Sequence, residues 1–135
     1  MASPEAVLPT LDLGLPGWTL RAWRAGDAPS LAEHANNVNV WRWMSDGFPH
    51  PYTLAIAEHW VRAGHVEFGG DNWAVAFEDI AVGGCGVAPQ HGPLRCCAEV
   101  GWWIGQAYWG RGVGSRVARA LVERAFESAQ VARVI

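Results

Sequence analysis

The run YWGRGVGSRVARALVERAF, residues 108–126, joins a glycine-rich loop to a segment of helical period, and its charges stand in an unusual order. A helix start carries partial positive charge from N–H groups without partners, so acids favour it and bases do not. Here Arg111, Arg116 and Arg119 come first, and the earliest acid is Glu123. Gly110, Gly112 and Gly114 let the backbone approach a ligand closely and adopt conformations that other residues resist. A strand, a loop of small residues and a helix N-terminus together aim several backbone N–H groups at one point, which is the chemistry of phosphate binding. Arginines there would offset the anion through charge-assisted hydrogen bonds. The same residues also fit a tight turn with solvated arginines, and the loop alone does not separate the two readings.

Common nucleotide fingerprints fit it poorly. In GQAYWGRG the glycine spacing is that of a P-loop, but Arg111 stands where Lys belongs and Gly112 where a Ser or Thr should hold magnesium. The dinucleotide fingerprint needs a glycine three residues after Gly112, and Ser115 occupies that place. A nucleotide-phosphate-binding protein is therefore the weakest of the readings.

Other chemistries have less support. His34, His50, His59, His65 and His91 form no metal-ligand spacing, so no metal is expected. Cys85, Cys96 and Cys97 are an odd number with an adjacent pair, which suits reduced, buried thiols better than disulfides. A formal net charge of −3 argues against wholesale attraction to nucleic acid. No basic residue precedes Arg21, and Pro9, Asp12 and Pro16 interrupt the early apolar stretches, so no signal peptide or membrane span is expected and the cytoplasm is the default location.

The elements that must position the loop follow from composition and period. Half of the 135 residues are hydrophobic and 17% are charged, the balance of one globular domain with a real core. Residues 1–16 read as a flexible, proline-punctuated leader, and 17–135 as the domain. GWTLRAWR alternates Trp18, Leu20 and Ala22 with Thr19 and Arg21, a strand pattern. Asp27 is placed to cap a helix over APSLAEHANN, and Thr53 one over LAIAEHWVRAG, whose Ile56, Ala57, Trp60 and Val61 share a face. The aromatic-rich VNVWRWMSDGFPHPYT between them reads as a loop, with Trp41, Trp43, Phe48 and Tyr52 either packing the core or walling a pocket.

DNWAVAFE, DIAVGGCGVAP and RCCAEVGWWIG are short apolar runs separated by turn-like ED and PQHGPL, the pattern of an antiparallel meander. A helix from Val113 to Ala129 follows, with an apolar stripe of Val113, Val117, Leu121 and Ala125, and VARVI closes the chain as a strand.

The ordered set WRWMSDGFPHPYT, VGGCGV and AEVGWWIGQAYWGRGVG resembles the GNAT superfamily of acyl-CoA-dependent N-acyltransferases. Gly112 and Gly114 fill the last two places of its signature, while Trp109 replaces the usual Gln or Arg. That aromatic–Trp–Gly–Arg–Gly run looks like the branch of the ribosomal-protein N-terminal (Rim-type) acetyltransferases. The resemblance covers nearly the whole chain from Trp18 onward. It implies an α/β (α+β) fold: a mixed, mostly antiparallel sheet with helices on both faces.

Position by position, the resemblance implies that the pyrophosphate of acetyl-CoA sits on Gly110, Arg111, Gly112, Val113, Gly114 and Ser115. The pantetheine arm would pair with the strand around Trp102, Trp103 and Ile104. Glu99, the acid on the strand entering the site, is the candidate base that would free the acceptor amine of its proton; a solvent-facing strand carboxylate is the competing reading. Trp41, Trp43 and Tyr52 are candidates for lining the acceptor site. The acceptor class is a primary amine, on a protein N-terminus or a small molecule.

The family pattern continues beyond VARVI with a further helix and two strands, so relative to it this chain lacks the last helix and two strands. On that reading the chain is an acetyltransferase, or a CoA-binding module or fragment without turnover, and its last strand offers an edge for a homodimer.

Overall fold

The computed structural model describes residues 8–135, a single six-stranded sheet with helices on both faces. The strands are β1 (Leu11–Asp12), β2 (Trp18–Ala22), β3 (Asp71–Phe77), β4 (Ile80–Pro89), β5 (Cys97–Ile104) and β6 (Arg133–Val134), in that spatial order. The first four pairings are antiparallel; short connections join β1 to β2, β3 to β4 and β4 to β5, whereas residues 23–70, which hold most of the helices, lie between β2 and β3. β6 is parallel to β5, because a helix crosses between them.

That helix, α5 (Val113–Phe126), carries the expected stripe: Val113, Val117, Leu121 and Ala125 are all buried at 3% exposure or less. It packs against Leu20, Trp73, Val75, Val82 and Ile104 on one face of the sheet. Each such Val or Leu contributes about 1.5–3 kcal/mol on burial, so the four-residue repeat seats the helix and fixes where its N-terminus lies. The helix stops at Phe126, one turn before the expected Ala129.

The opposite face is covered by α1 (Ala28–Ala35) and by a continuous helical segment. That segment comprises α3 (Leu54–His59), a π-helical stretch (Trp60–Gly64) and α4 (His65–Glu67). Thr53 caps α3 as expected, its hydroxyl accepting from the Ile56 N–H at 3.2 Å. Ala57 and Val61 are buried with Leu31 and Ala35, over a sheet face made small by Ala74 and Ala81.

The leader departs from expectation within the described residues. Leu11–Asp12 pairs with β2, Leu13 is buried, and the Pro9 carbonyl accepts the Trp73 indole N–H at 3.0 Å. Leu8, Leu11 and Leu15 add apolar surface to the α5 core, which is why residues 8–16 pack rather than dangle. The expectation for residues 1–7 lies outside the described residues.

Three further readings are corrected. Arg21, expected to face solvent, is buried, and Ala22 is exposed. Asp27 sits at the position before α1 but gives that helix no side-chain cap; its carboxylate is occupied by Arg21 and by the Arg24 N–H. Cys96 is an exposed thiol, whereas Cys85 and Cys97 are buried. Burial pushes the Cys85 thiol well above the usual range.

The ED turn between β3 and β4 places Glu78 and Asp79 at positive φ, 48° and 67°, the backbone of a two-residue hairpin turn. It presents Asp79 to Arg24 and Arg21, whose hydrogen bonds and charges hold its carboxyl below the usual range, Arg24 first.

Candidate functional site

At the start of α5, Gly110 and Gly112 have φ of 80° and 77°, a region closed to most side chains. A methyl group added to either would meet nothing within 4 Å, so backbone geometry, not crowding, requires glycine there. Gly114 differs: an added Cβ would stand 3.4 Å from the Trp102 indole nitrogen, and glycine lets that ring lie against the helix. Gly112 precedes the helix and no side chain caps it. The Arg116 N–H reaches the Gly112 carbonyl at 3.4 Å, leaving the amides of Val113, Gly114 and Ser115 without intrahelical partners.

The arginines divide their roles. The Arg111 guanidinium lies 5.2 Å above the Tyr108 ring and remains at the loop. Arg116 turns back to the Leu13 carbonyl at 3.5 Å, and Arg119 forms an exposed pair with Glu123 at 3.3 Å. Of the three, only Arg111 belongs to the loop.

β5 supplies the second component. Its inner groups bond β4 as far as the Gly105 N–H, which donates to the Val82 carbonyl at 2.8 Å. On its outer edge the Val100 N–H donates to the carbonyl of Ile135, the residue after β6, at 3.0 Å. By antiparallel alternation the outward groups beyond it belong to Trp102 and Ile104.

Loop and strand meet in a cavity of about 310 Å³. Gly110, Gly112, Val113 and Gly114 form one side of it, and Trp102, Trp103 and Ile104 another. A third wall comes from α2 (Val38–Trp41) and the loop after it, through Val40, Trp43 and Met44. Tyr108 and Trp109 complete the lining. Trp109 donates its indole N–H to the Ile104 carbonyl at 2.7 Å. Amides join the third wall to the loop: Asn37 and Asn39 both donate to the Gln106 side-chain oxygen, at 2.9 and 3.1 Å, while Asn37 caps α2.

The expected site residues therefore separate. Trp43, 79% exposed, lines the cavity with the glycines and β5. Arg111 on the loop and Ser115 in the first turn of α5 lie beside it without lining it. Trp41 is outside the lining and stacks on His50 at 5.2 Å. Tyr52 is also outside: it is buried in the α1–α3 core, 5.4 Å from Phe48, and burial pushes its hydroxyl up to about 12. Glu99 adjoins Val100, the residue that donates to Ile135, but its exposed side chain is not part of the lining. Alternation puts it on the Trp103 face, about 13 Å along the strand, with the bare Gly101 between. Val40, Met44, Tyr108 and Trp109 were not foreseen as lining, since nothing in their spacing tells a pocket wall from core.

A wider groove of about 630 Å³ lies near Leu15, Trp18 and Arg21. Its buried cation is already matched by Asp27 and Asp79, so it offers an incoming anion little. Among the described residues no group of three or more His, Cys, Asp or Glu side chains is gathered, and no helix is long and apolar enough to cross a membrane.

A family model for the acetyltransferase (GNAT) domain matches residues 18–135. The chain belongs to this family. Solved structures share the fold at low identity. A GNAT-family acetyltransferase from Bacillus anthracis is 19% identical, with a TM-score of 0.73 over 93% of this chain and 71% of that one. The ribosomal L7/L12 alpha-N-protein acetyltransferase RimL, solved in complex with coenzyme A, is 15% identical, with a TM-score of 0.71 over 91% of this chain and 71% of its own. The microcin C7 self-immunity acetyltransferase MccE, solved with acetyl-CoA and AMP, is 14% identical, with a TM-score of 0.71 over 93% of this chain and 71% of its own. The mixed sheet with α5 crossing from β5 to β6 is thus a GNAT fold, and acetyl transfer from acetyl-CoA is the chemistry of the GNAT family.

Proposed function

We propose that this GNAT domain transfers an acetyl group from acetyl-CoA to a primary amine, on a protein N-terminus or a small molecule. The observation that carries the reading is the junction of the uncapped start of α5 with the open outer edge of β5, in one cavity. Free amides at 113–115 suit a pyrophosphate, and edge groups of Trp102 suit the amides of a pantetheine arm. Such an arm, running from the loop along β5, brings its thioester towards Val100 and hence towards Glu99.

There the neutral amine nitrogen forms a bond to the thioester carbonyl carbon, the carbon–sulfur bond breaks, and the proton the nitrogen sheds in becoming an amide passes through water to the leaving thiolate, which departs as the thiol. The amine must first lose a proton, and Glu99 takes it, through water, in this reading. The aromatic–Trp–Gly–Arg–Gly run, residues 108–112, supports the Rim-type branch and makes peptide N-termini the first acceptors to test.

A second reading, a CoA-binding module without turnover, is favoured by one observation: among the described residues, no carboxylate or histidine lines the cavity. Calorimetry with acetyl-CoA, followed by a thiol-release assay over a panel of peptides and small amines, separates the two. Binding with thiol release that depends on an amine supports the enzyme; binding without release over the panel supports the module; no binding overturns both.

A further inference from the structure

The outer edge of β5 is not uniformly open. Its outward N–H and C=O groups belong to Ala98, Val100, Trp102 and Ile104. Ile135 takes the first of them, donating to the Ala98 carbonyl at 2.9 Å and accepting from the Val100 N–H at 3.0 Å. At the end nearest the glycine loop, the Ile104 carbonyl is taken by the Trp109 indole N–H at 2.7 Å, a short and good bond for that donor. Among the described residues, the acceptors left between these two blocks are the carbonyls of Val100 and Trp102.

We propose that Trp109 is a positioning residue: by holding the Ile104 carbonyl, it makes Trp102 the first place where the pantetheine arm of acyl-CoA can donate to β5. The inference rests on the acetyl-CoA reading above. An extended ligand offered a row of equivalent edge groups can slip along it, because main-chain pairing alone specifies register weakly. Removing the carbonyl nearest the loop eliminates one such register. The chain places this donor where the family signature ordinarily carries Gln or Arg, and the turn Gln106–Tyr108 holds the indole in place through the Trp109 N–H to Gln106 carbonyl bond at 3.1 Å. The thioester, a fixed arm length beyond the first bond, then stops at one depth relative to Val100 and Glu99.

Hydrogen exchange by NMR on the nitrogen-15-labelled chain, with and without CoA, tests this. The Trp109 indole N–H is expected to exchange slowly in both states, and the Trp102 backbone N–H to become slow only with CoA. Loss of indole protection when CoA binds would overturn the proposal, since the arm would then have claimed the Ile104 carbonyl. Trp109→Phe keeps a ring but removes the donor; with CoA bound, its Trp102 amide resonance is expected to double or broaden as a second register opens. A single sharp resonance, as in the parent, counts against the proposal; should the variant fail to fold, the parent experiment decides alone. If CoA perturbs no resonance of the parent, the acetyl-CoA reading itself fails and takes this one with it.

Discussion

Asp27 grips Arg21 with both carboxylate oxygens, at 2.8 and 2.9 Å, and the pair is shut away from solvent between β2 and the start of α1. Donating hydrogen bonds to Asp27 is the main reason why the Arg21 guanidinium holds its proton more tightly than usual. Fork-to-fork geometry of this kind combines strength with direction. Removing one partner of a buried pair leaves the other charge uncompensated, at a cost of about 3–5 kcal/mol. Asp27→Ala is therefore expected to lose stability in urea unfolding, though by less than that full scale because Asp79 still pairs with Arg21, and Asp79→Ala to lose less again, because Asp79 is exposed. Equal losses would mean that the buried pair is not the anchor of this corner.

Tyr52 makes stability depend on alkaline pH. Its hydroxyl is raised by burial to about 12, while the unfolded chain releases the same proton at its ordinary value of 10.0. Between those values the unfolded state has lost a proton that the folded state keeps, so stability falls as pH rises from about 10. Tyr52→Phe should flatten that part of the curve. Melting temperatures of both proteins from neutral pH to the alkaline limit check it; parallel curves would show that Tyr52 is more accessible than its packing implies.

At Gly112 the consequences for folding and for ligand separate. A side chain at φ 77° costs about 1–2 kcal/mol in backbone strain, and aspartate tolerates that region better than most residues. Gly112→Asp should therefore fold, yet place a negative charge where the loop is to receive pyrophosphate. CoA raises the melting temperature of the parent if it binds the folded state selectively. The variant is expected to show no such rise, and an undiminished rise would move the phosphate elsewhere.

Glu99 gives a kinetic test. If it removes the acceptor's proton, Glu99→Gln should lower turnover most near neutral pH and progressively less as alkali deprotonates the amine unaided. A defect that is uniform across pH would assign Glu99 to placing the acceptor instead.

Periodicity made the scaffold readable. Val113, Val117, Leu121 and Ala125 announce α5, and the three apolar runs announce β3–β5, because burial on one face writes a repeat into the sequence. Arg21 and Asp27 defeated the same reasoning: a charge looks outward until its partner is known, and Asp27 looks like a cap until Arg21 claims its carboxylate. The glycine loop was legible because φ of 77–80° leaves glycine little competition. The aromatic loop was not, since Trp43 at the cavity and Tyr52 in the core carry no local mark that tells them apart. Likewise, two amides on Gln106 from Asn37 and Asn39 span 69 and 67 residues, a distance over which no local pattern operates.

Four of the nine tryptophans, Trp43, Trp102, Trp103 and Trp109, surround the cavity, while Trp18, Trp23 and Trp73 are buried elsewhere. Indole emission moves to the blue and escapes aqueous quenchers as water leaves the ring, so the site carries its own optical reporter over a steady background from the core. Occupancy of this cavity is thus readable in unlabelled protein, by the colour of its fluorescence, before any acceptor has been found.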